Sequence, residues 1–223
     1  MKISEHVYVL PKVVCNIYII ENPDGLTIID TGIPGSAKKI LAYVTGLGKS
    51  ALDVKHILIT HSDVDHVGSL AALQQATGAR TYASQIEAQA IAVGKVSREI
   101  KPTGFSARRI LFALLRPFFK VAPFQVDEIV TEGQTLPILG GLQVLDSPGH
   151  TPGHISFFSP TTGVLFCGDS MVVDENGLQG SRPGVTWDAE SATRSVQKQS
   201  TLGAKTVCSG HGPAVYEPHF PEG

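Results

Sequence analysis

The chain has 223 residues, 42% of them hydrophobic and 17% charged, with a formal net charge of −2 at pH 7. Such a composition excludes a disordered chain and supplies enough apolar material for a sizeable core. The weak negative balance excludes a polycationic nucleic-acid binder, and no apolar run reaches the roughly 20 residues that would cross a bilayer.

From the N-terminus, Met1 opens on a polar stretch that lacks the pattern of a secretion signal. Val13 to Ile20 and Leu26 to Ile29 read as two strands of a hairpin around Glu21-Asn22-Pro23-Asp24-Gly25. Asp30-Thr31-Gly32 closes the second strand, and Ser36 to Leu47 has helical character. His56 to Thr60 is a short buried strand running into His61, after which Val67, Leu70, Ala71 and Leu73 follow helical spacing up to Gly78. Further on, Leu142 to Leu145, Ile155 to Phe158 and Val164 to Cys167 read as strands bounded by Gly or Pro. Asp188 to Leu202 reads as a helix and Thr206 to Cys208 as a last strand. Hairpins alternating with single helices predict sheets covered by helices, in one domain spanning 1–223. Cys15, Cys167 and Cys208 lie far apart without CxxC spacing, as expected of reduced, buried thiols in a cytoplasmic protein.

The metal-capable side chains fall at strand ends. His61, Asp63, Asp65 and His66 form the run His-Ser-Asp-Val-Asp-His after one apolar strand. His150 closes Ser147-Pro148-Gly149-His150, Asp169 closes Cys167-Gly168-Asp169, and His211 closes Ser209-Gly210-His211. Taken singly, these residues have ordinary explanations: Asp63 or Asp65 can cap the helix that starts near His66, and Asp169 can cap a turn. Taken together, seven imidazoles and carboxylates at the same end of four strands form a ligand set suited to zinc, iron or manganese.

In these motifs the chain resembles the metallo-β-lactamase superfamily, whose signature is His-x-His-x-Asp-His followed by a downstream His, a bridging Asp and a final His. His61, Asp65, His66, His150, Asp169 and His211 match in order, and the likeness extends over nearly the whole chain. The resemblance implies an α+β fold, a four-layer αββα sandwich with its site at one edge of the two sheets. It implies two divalent metal ions, zinc first among them, with iron or manganese as alternatives. One ion would take His61, Asp63 and His150; the other Asp65, His66 and His211, with Asp169 bridging. Asp65 and Asp169 are the expected catalytic carboxylates, and Asp30 is expected to brace a ligand from behind. Asp63 departs from the pattern, because the superfamily usually has its second histidine there. A carboxylate at that place shifts the site toward oxygen-rich coordination. His154 is expected to hydrogen-bond within the strand edge, and His56 to be structural.

Two cations sharing a water would lower its pKa toward neutrality and polarise a carbonyl or phosphoryl oxygen. The expected activity is hydrolysis of a small ester, lactone or thioester. A glyoxalase II-like enzyme is less favoured, since the stretch after His211 is shorter than that family's extra helical domain. The alternatives are a phosphoester hydrolase, a di-iron redox protein acting on oxygen or sulfur species, and a metal-binding module without catalysis. The expected partner is a small molecule, with a homodimer as one option and no nucleic acid.

One compositional shift stands out, between Gly94 and Val126. Seven basic residues face a single acid, Glu99, and five of the nine phenylalanines fall there. Ile110 to Leu115 is apolar all round, with Pro117 ending any helix. Three readings fit: a solvated helical cover, a membrane-surface helix, or a lid or dimer surface carrying Phe112, Phe118 and Phe119 over the site.

Overall fold

The computed structural model describes residues 1–98 and 121–221. Two six-stranded mixed sheets lie face to face. The first runs β1 (Val7–Val9), β2 (Tyr18–Asn22), β3 (Gly25–Ile29), β4 (Val54–Leu58), β5 (Arg80–Ala83) and β6 (Glu128–Ile129), in that spatial order. The second is ordered β14 (Val215–Tyr216), β13 (Thr206–Ser209), β10 (Val164–Gly168), β9 (Ile155–Ser159), β8 (Leu142–Asp146) and β7 (Thr135–Leu136). A separate hairpin joins β11 (Met171–Asp174) to β12 (Gly177–Gly180). The helices are α1 (Ala37–Gly46), α2 (Val64–Val67), α3 (Leu70–Thr77), α4 (Gln85–Ala92) and α5 (Ala189–Ser200). Among the described residues no helix is long and apolar enough to cross a membrane.

The period-2 alternation of the strands sorts their apolar side chains into layers. On β2, Tyr18 and Ile20 face the second sheet while Ile19 faces the helices; on β10, Val164 and Phe166 face inward while Leu165 and Cys167 face α5. The central layer sets Tyr18, Ile20, Ile29 and Leu58 against Val144, Ile155, Phe157 and Phe166. Ile40, Val44, Leu70, Leu73 and Ile91 cover one outer face, and Val196 with the β11–β12 hairpin covers the other. The expected αββα sandwich is the fold.

Among the element boundaries that differ from the sequence reading, three have a specific local reason. The first hairpin strand begins at Tyr18 rather than Val13, because Asn16 is drawn to the carbonyls of Ser209 and Gly212, at the end of β13 and in the loop after it. The strand before His61 ends at Leu58, since the Thr60 N–H donates to the Asp30 carboxylate at 2.9 Å instead of to a neighbouring strand. The single helix expected after His66 is two, broken at Gly68-Ser69, where Ser69 Oγ donates to the Ile33 carbonyl and accepts from Ser36 N. All three cysteines are buried and unpaired.

Candidate metal centre

Five strands deliver polar side chains to the same edge. β3 ends in Asp30, β4 in the His61 loop, β8 in the loop to His150, β10 in Asp169 and β13 in the loop to His211. Backbone bonds lock these loops together: Ile155 N–H donates to Thr60 O across the two sheets, and Gly210 N–H to Gly168 O within the second.

Asp30 adopts a left-handed φ of 61°, sparsely populated for residues with a side chain and most tolerated by Asn and Asp. Its buried carboxylate accepts from Thr60 N and Thr60 Oγ1 and lies 2.8 Å from His66 Nδ1. With Nδ1 occupied, His66 presents Nε2 to the cluster, 3.3 Å from Asp169 Oδ1 and 4.0 Å from Asp65 Oδ2. His211 Nε2 lies 3.4 Å from both Asp65 Oδ2 and Asp169 Oδ2. On the other side, His150 Nε2 is 3.2 Å from Asp63 Oδ2 and 3.6 Å from Asp169 Oδ2, while His61 Nε2 is 3.6 Å from Asp63 Oδ2. Thr60 Oγ1 and Ser181 Oγ hold the remaining nitrogens of His61 and His150. Asp169 thus stands between the two halves, in contact range of His66, His150 and His211.

Three donor groups emerge, each with its ligand atoms within 4.8 Å of one another: His61 with Asp63 and His150, His61 with His66 and Asp169, and Asp65 with His66 and His211. All seven residues singled out in the sequence belong to them. His61 Nε2, His66 Nε2 and Asp169 Oδ1 are buried, and no hydrogen-bond partner for them exists among the described residues. Buried polar atoms without partners cost about 1–3 kcal/mol each. Three such atoms aimed at one space fit a divalent cation that accepts lone pairs from all of them.

The charges are mutually dependent. Burial works against ionisation of Asp63 and Asp169, yet the hydrogen bond from His150, with His61 and Arg98 close by, holds Asp63 well below the usual carboxylate range, and the charge of His66 does the same for Asp169. Burial would lower His211, but its bonds to Asp169 and Asp65 raise it to about 9. Burial drives His154 well below the usual value, and nearby His61 and His150 add to it. His154 accepts from Asp169 N at 3.1 Å through Nε2 and pairs with Ser147 through Nδ1. It therefore orients the Asp169 loop within the strand edge. His56 pairs with Tyr82 of the neighbouring β5.

Asp63 occupies the N-cap position of α2, but its side chain makes no capping bond. It turns instead toward His61, His150 and Arg98. The glycines beside the donors act in different ways. Gly168 takes a left-handed φ of 51°, whereas Gly210 leaves room: a Cβ there would fall on Asp169 Oδ1 and lie 2.8 Å from His66 Cε1.

Two residues of the site escaped the sequence reading. Glu87, fully buried on α4, accepts from Ser62 N, Ser97 Oγ, Thr151 Oγ1 and Gly153 N, tying the His61 loop to the His150 loop. The run Ser84-Gln-Ile-Glu87 carries a capping-box pattern that flags the helix start. Ser84 Oγ does accept from Glu87 N, but the carboxylate goes elsewhere. Arg98 was counted only within a basic stretch. Phe112, Phe118 and Phe119 lie outside the described residues; of that stretch, Phe124 and Val126 pack on the helix-covered face of the first sheet.

A family model for the metallo-beta-lactamase superfamily matches residues 10–211. The chain is 28% identical to the probable metallo-hydrolase YflN of Bacillus subtilis (strain 168), over 94% of its own length and 84% of that protein. It is 32% identical to hydroxyacylglutathione hydrolase of Cereibacter sphaeroides, where the match covers 70% of this chain but only 47% of that enzyme. A metallo-beta-lactamase family protein of Thermus thermophilus shares the fold with a TM-score of 0.74 at 24% identity, covering 96% of this chain and 76% of that one.

Proposed function

The chain belongs to the metallo-beta-lactamase superfamily, and from that premise we propose that it is a metal-dependent hydrolase of a small ester, lactone or thioester. The observation that carries this reading is the convergence of three buried, unpartnered ligand atoms, His61 Nε2, His66 Nε2 and Asp169 Oδ1, on one space. His61, Asp63 and His150 would hold one divalent ion; Asp65, His66 and His211 a second, with Asp169 between. Zinc is the first choice, given four imidazoles among seven donors, with iron and manganese as alternatives. Such ions, when bound, activate a water and polarise the oxygen of the scissile group.

The chain's own residues supply orientation. Asp30 sets the His66 ring, and Thr60 and Ser181 set His61 and His150. The Asp65 side chain is 25% exposed against 10% for Asp169. Asp65 is thus placed to accept a hydrogen bond from the attacking water and aim it, while Asp169 stays a buried anchor. The likeness to enzymes named for an acylated glutathione supports a thioester within the substrate class. Three buried, unpaired cysteines support a reducing, cytoplasmic setting.

The test is metal analysis of protein purified without added metal, followed by assays on ester, lactone and thioester panels before and after chelation. Zinc or manganese bound at two per chain, with hydrolysis abolished by chelation and restored by metal, is the expected result. Full activity in metal-free protein would overturn the proposal, and two irons with oxygen reduction but no hydrolysis would replace it.

A further inference from the structure

Arg98 donates through Nη1 and Nη2 to Asp63 Oδ1 and Oδ2 at 2.7 and 2.6 Å. This two-pronged pair is nearly closed to solvent, with the Arg98 side chain 4% exposed. The chain is built to bring it there. α4 ends in a turn with Gly94 at a left-handed φ of 64°. Ser97 then fastens the segment, its N–H donating to Ser62 Oγ and its hydroxyl to Glu87 Oε1, each at 2.8 Å. Residues 97 and 98 therefore bond to 62 and 63 in succession. The same Asp63 Oδ2 that Arg98 holds lies 3.2 Å from His150 Nε2 and 3.6 Å from His61 Nε2.

The charge arithmetic gives the pair a meaning. A guanidinium remains charged at any accessible pH and matches a carboxylate in plane. Asp63 with Arg98 therefore carries the net charge of one neutral imidazole. Asp65, on the other half of the centre, and Asp169, between the halves, have only histidines for partners and no arginine or lysine among the described residues. We propose that Arg98 is a counter-cation built into the first subsite, holding Asp63 in ligating position while offsetting its charge, so that this subsite binds a cation more weakly than the Asp65, His66 and His211 subsite and fills second. Arg98 is a positioning residue in this scheme, and the inference rests on reading His61, Asp63 and His150 as ligands.

The test is a cycle of Arg98→Met, Asp63→His and the double variant. It reads zinc and manganese affinity against a chromophoric chelator, and thermal unfolding of the chelated protein. The parent should take up two ions in separated steps. Arg98→Met should tighten the weaker step at least tenfold and lower the melting temperature of metal-free protein, since the buried Asp63 loses its guanidinium and keeps only imidazole neighbours. Asp63→His alone strands the guanidinium beside an imidazole and should weaken that step at least tenfold; the double variant, with neither charge, should return it to near the parent value. That comparison decides the matter even where Arg98→Met does not fold. A weaker-step affinity indifferent to Arg98 in both backgrounds, with two ions bound, would overturn the inference and leave the metal reading intact. A parent that binds no ion would overturn both.

Discussion

Asp30 Oδ2 lies 2.8 Å from His66 Nδ1, and the two side chains are buried together at 3% and 0% exposure. One carboxylate thereby selects which imidazole nitrogen faces the cluster, while its bonds to Thr60 anchor the start of the His61 loop. Asp30→Asn is expected to weaken binding of the second metal about 10–100-fold, the usual effect of losing a partner behind a ligating histidine. Titration of the chelated protein with zinc checks this. An unchanged affinity would show that packing alone orients His66.

Glu87 joins the loops that carry His61 and His150 through three hydrogen bonds and holds Ser97 with a fourth. Glu87→Ala leaves the buried Ser62 and Gly153 N–H groups without an acceptor, at about 1–3 kcal/mol each. The expected outcome is a stability loss of about 3 kcal/mol by urea unfolding, with the first metal weakened more than the second. Glu87→Gln, which keeps an acceptor oxygen, should recover part of both. Equal weakening of the two metals would count against its specific link to His61 and His150.

Gly210 is needed for space rather than for backbone freedom. In Gly210→Ala the new methyl would overlap the Asp169 carboxylate and press on His66. Overpacking of this kind costs about 1–3 kcal/mol. The strain should be relieved by displacing Asp169, so metal stoichiometry should fall while the circular dichroism of the fold is kept. Two tightly bound metals in the variant would show that the loop yields instead.

His211 offers a test by pH on metal-free protein. Burial opposes its charge, yet the bonds to Asp169 and Asp65 raise its pKa from 6.5 to about 9. The folded state therefore binds this proton more tightly than the unfolded state. Its contribution to stability is complete below pH 6.5 and is lost as pH rises through about 9. Unfolding free energies of chelated protein should fall across that window, and His211→Asn should flatten the fall. An equally steep fall in the variant would assign it to another group.

How much of this was legible locally follows from the physics of each part. The strands carrying His61, His150, Asp169 and His211 announce themselves as apolar, largely β-branched or aromatic runs, the last three ending in Gly- or Pro-marked loops, and both signals are short-range. α4 was not anticipated: its pattern of Ile86, Ala88, Ala90 and Ile91 is weakly apolar, and β5 ahead of it has only four residues. Glu87 on a helix and Arg98 in a basic stretch both read as solvated, since charged side chains almost always are. Burial reverses that reading for each, because it supplies the hydrogen-bond partners that a buried charge requires.

The candidate donors, their order along the chain and the sandwich that presents them can be read from a few neighbouring positions, because residue type and strand period are local properties. That Asp63 faces Arg98 and His150 rather than capping α2, that Asp30 stands behind His66, and that Gly210 makes room for Asp169 follow from the folded arrangement alone. The bonds among Asp63, Arg98, His150, Asp30 and His66 join residues 35 to 87 positions apart. They exist because two sheets and a returning turn after α4 close on one edge, where burial compels each charge to find its partner.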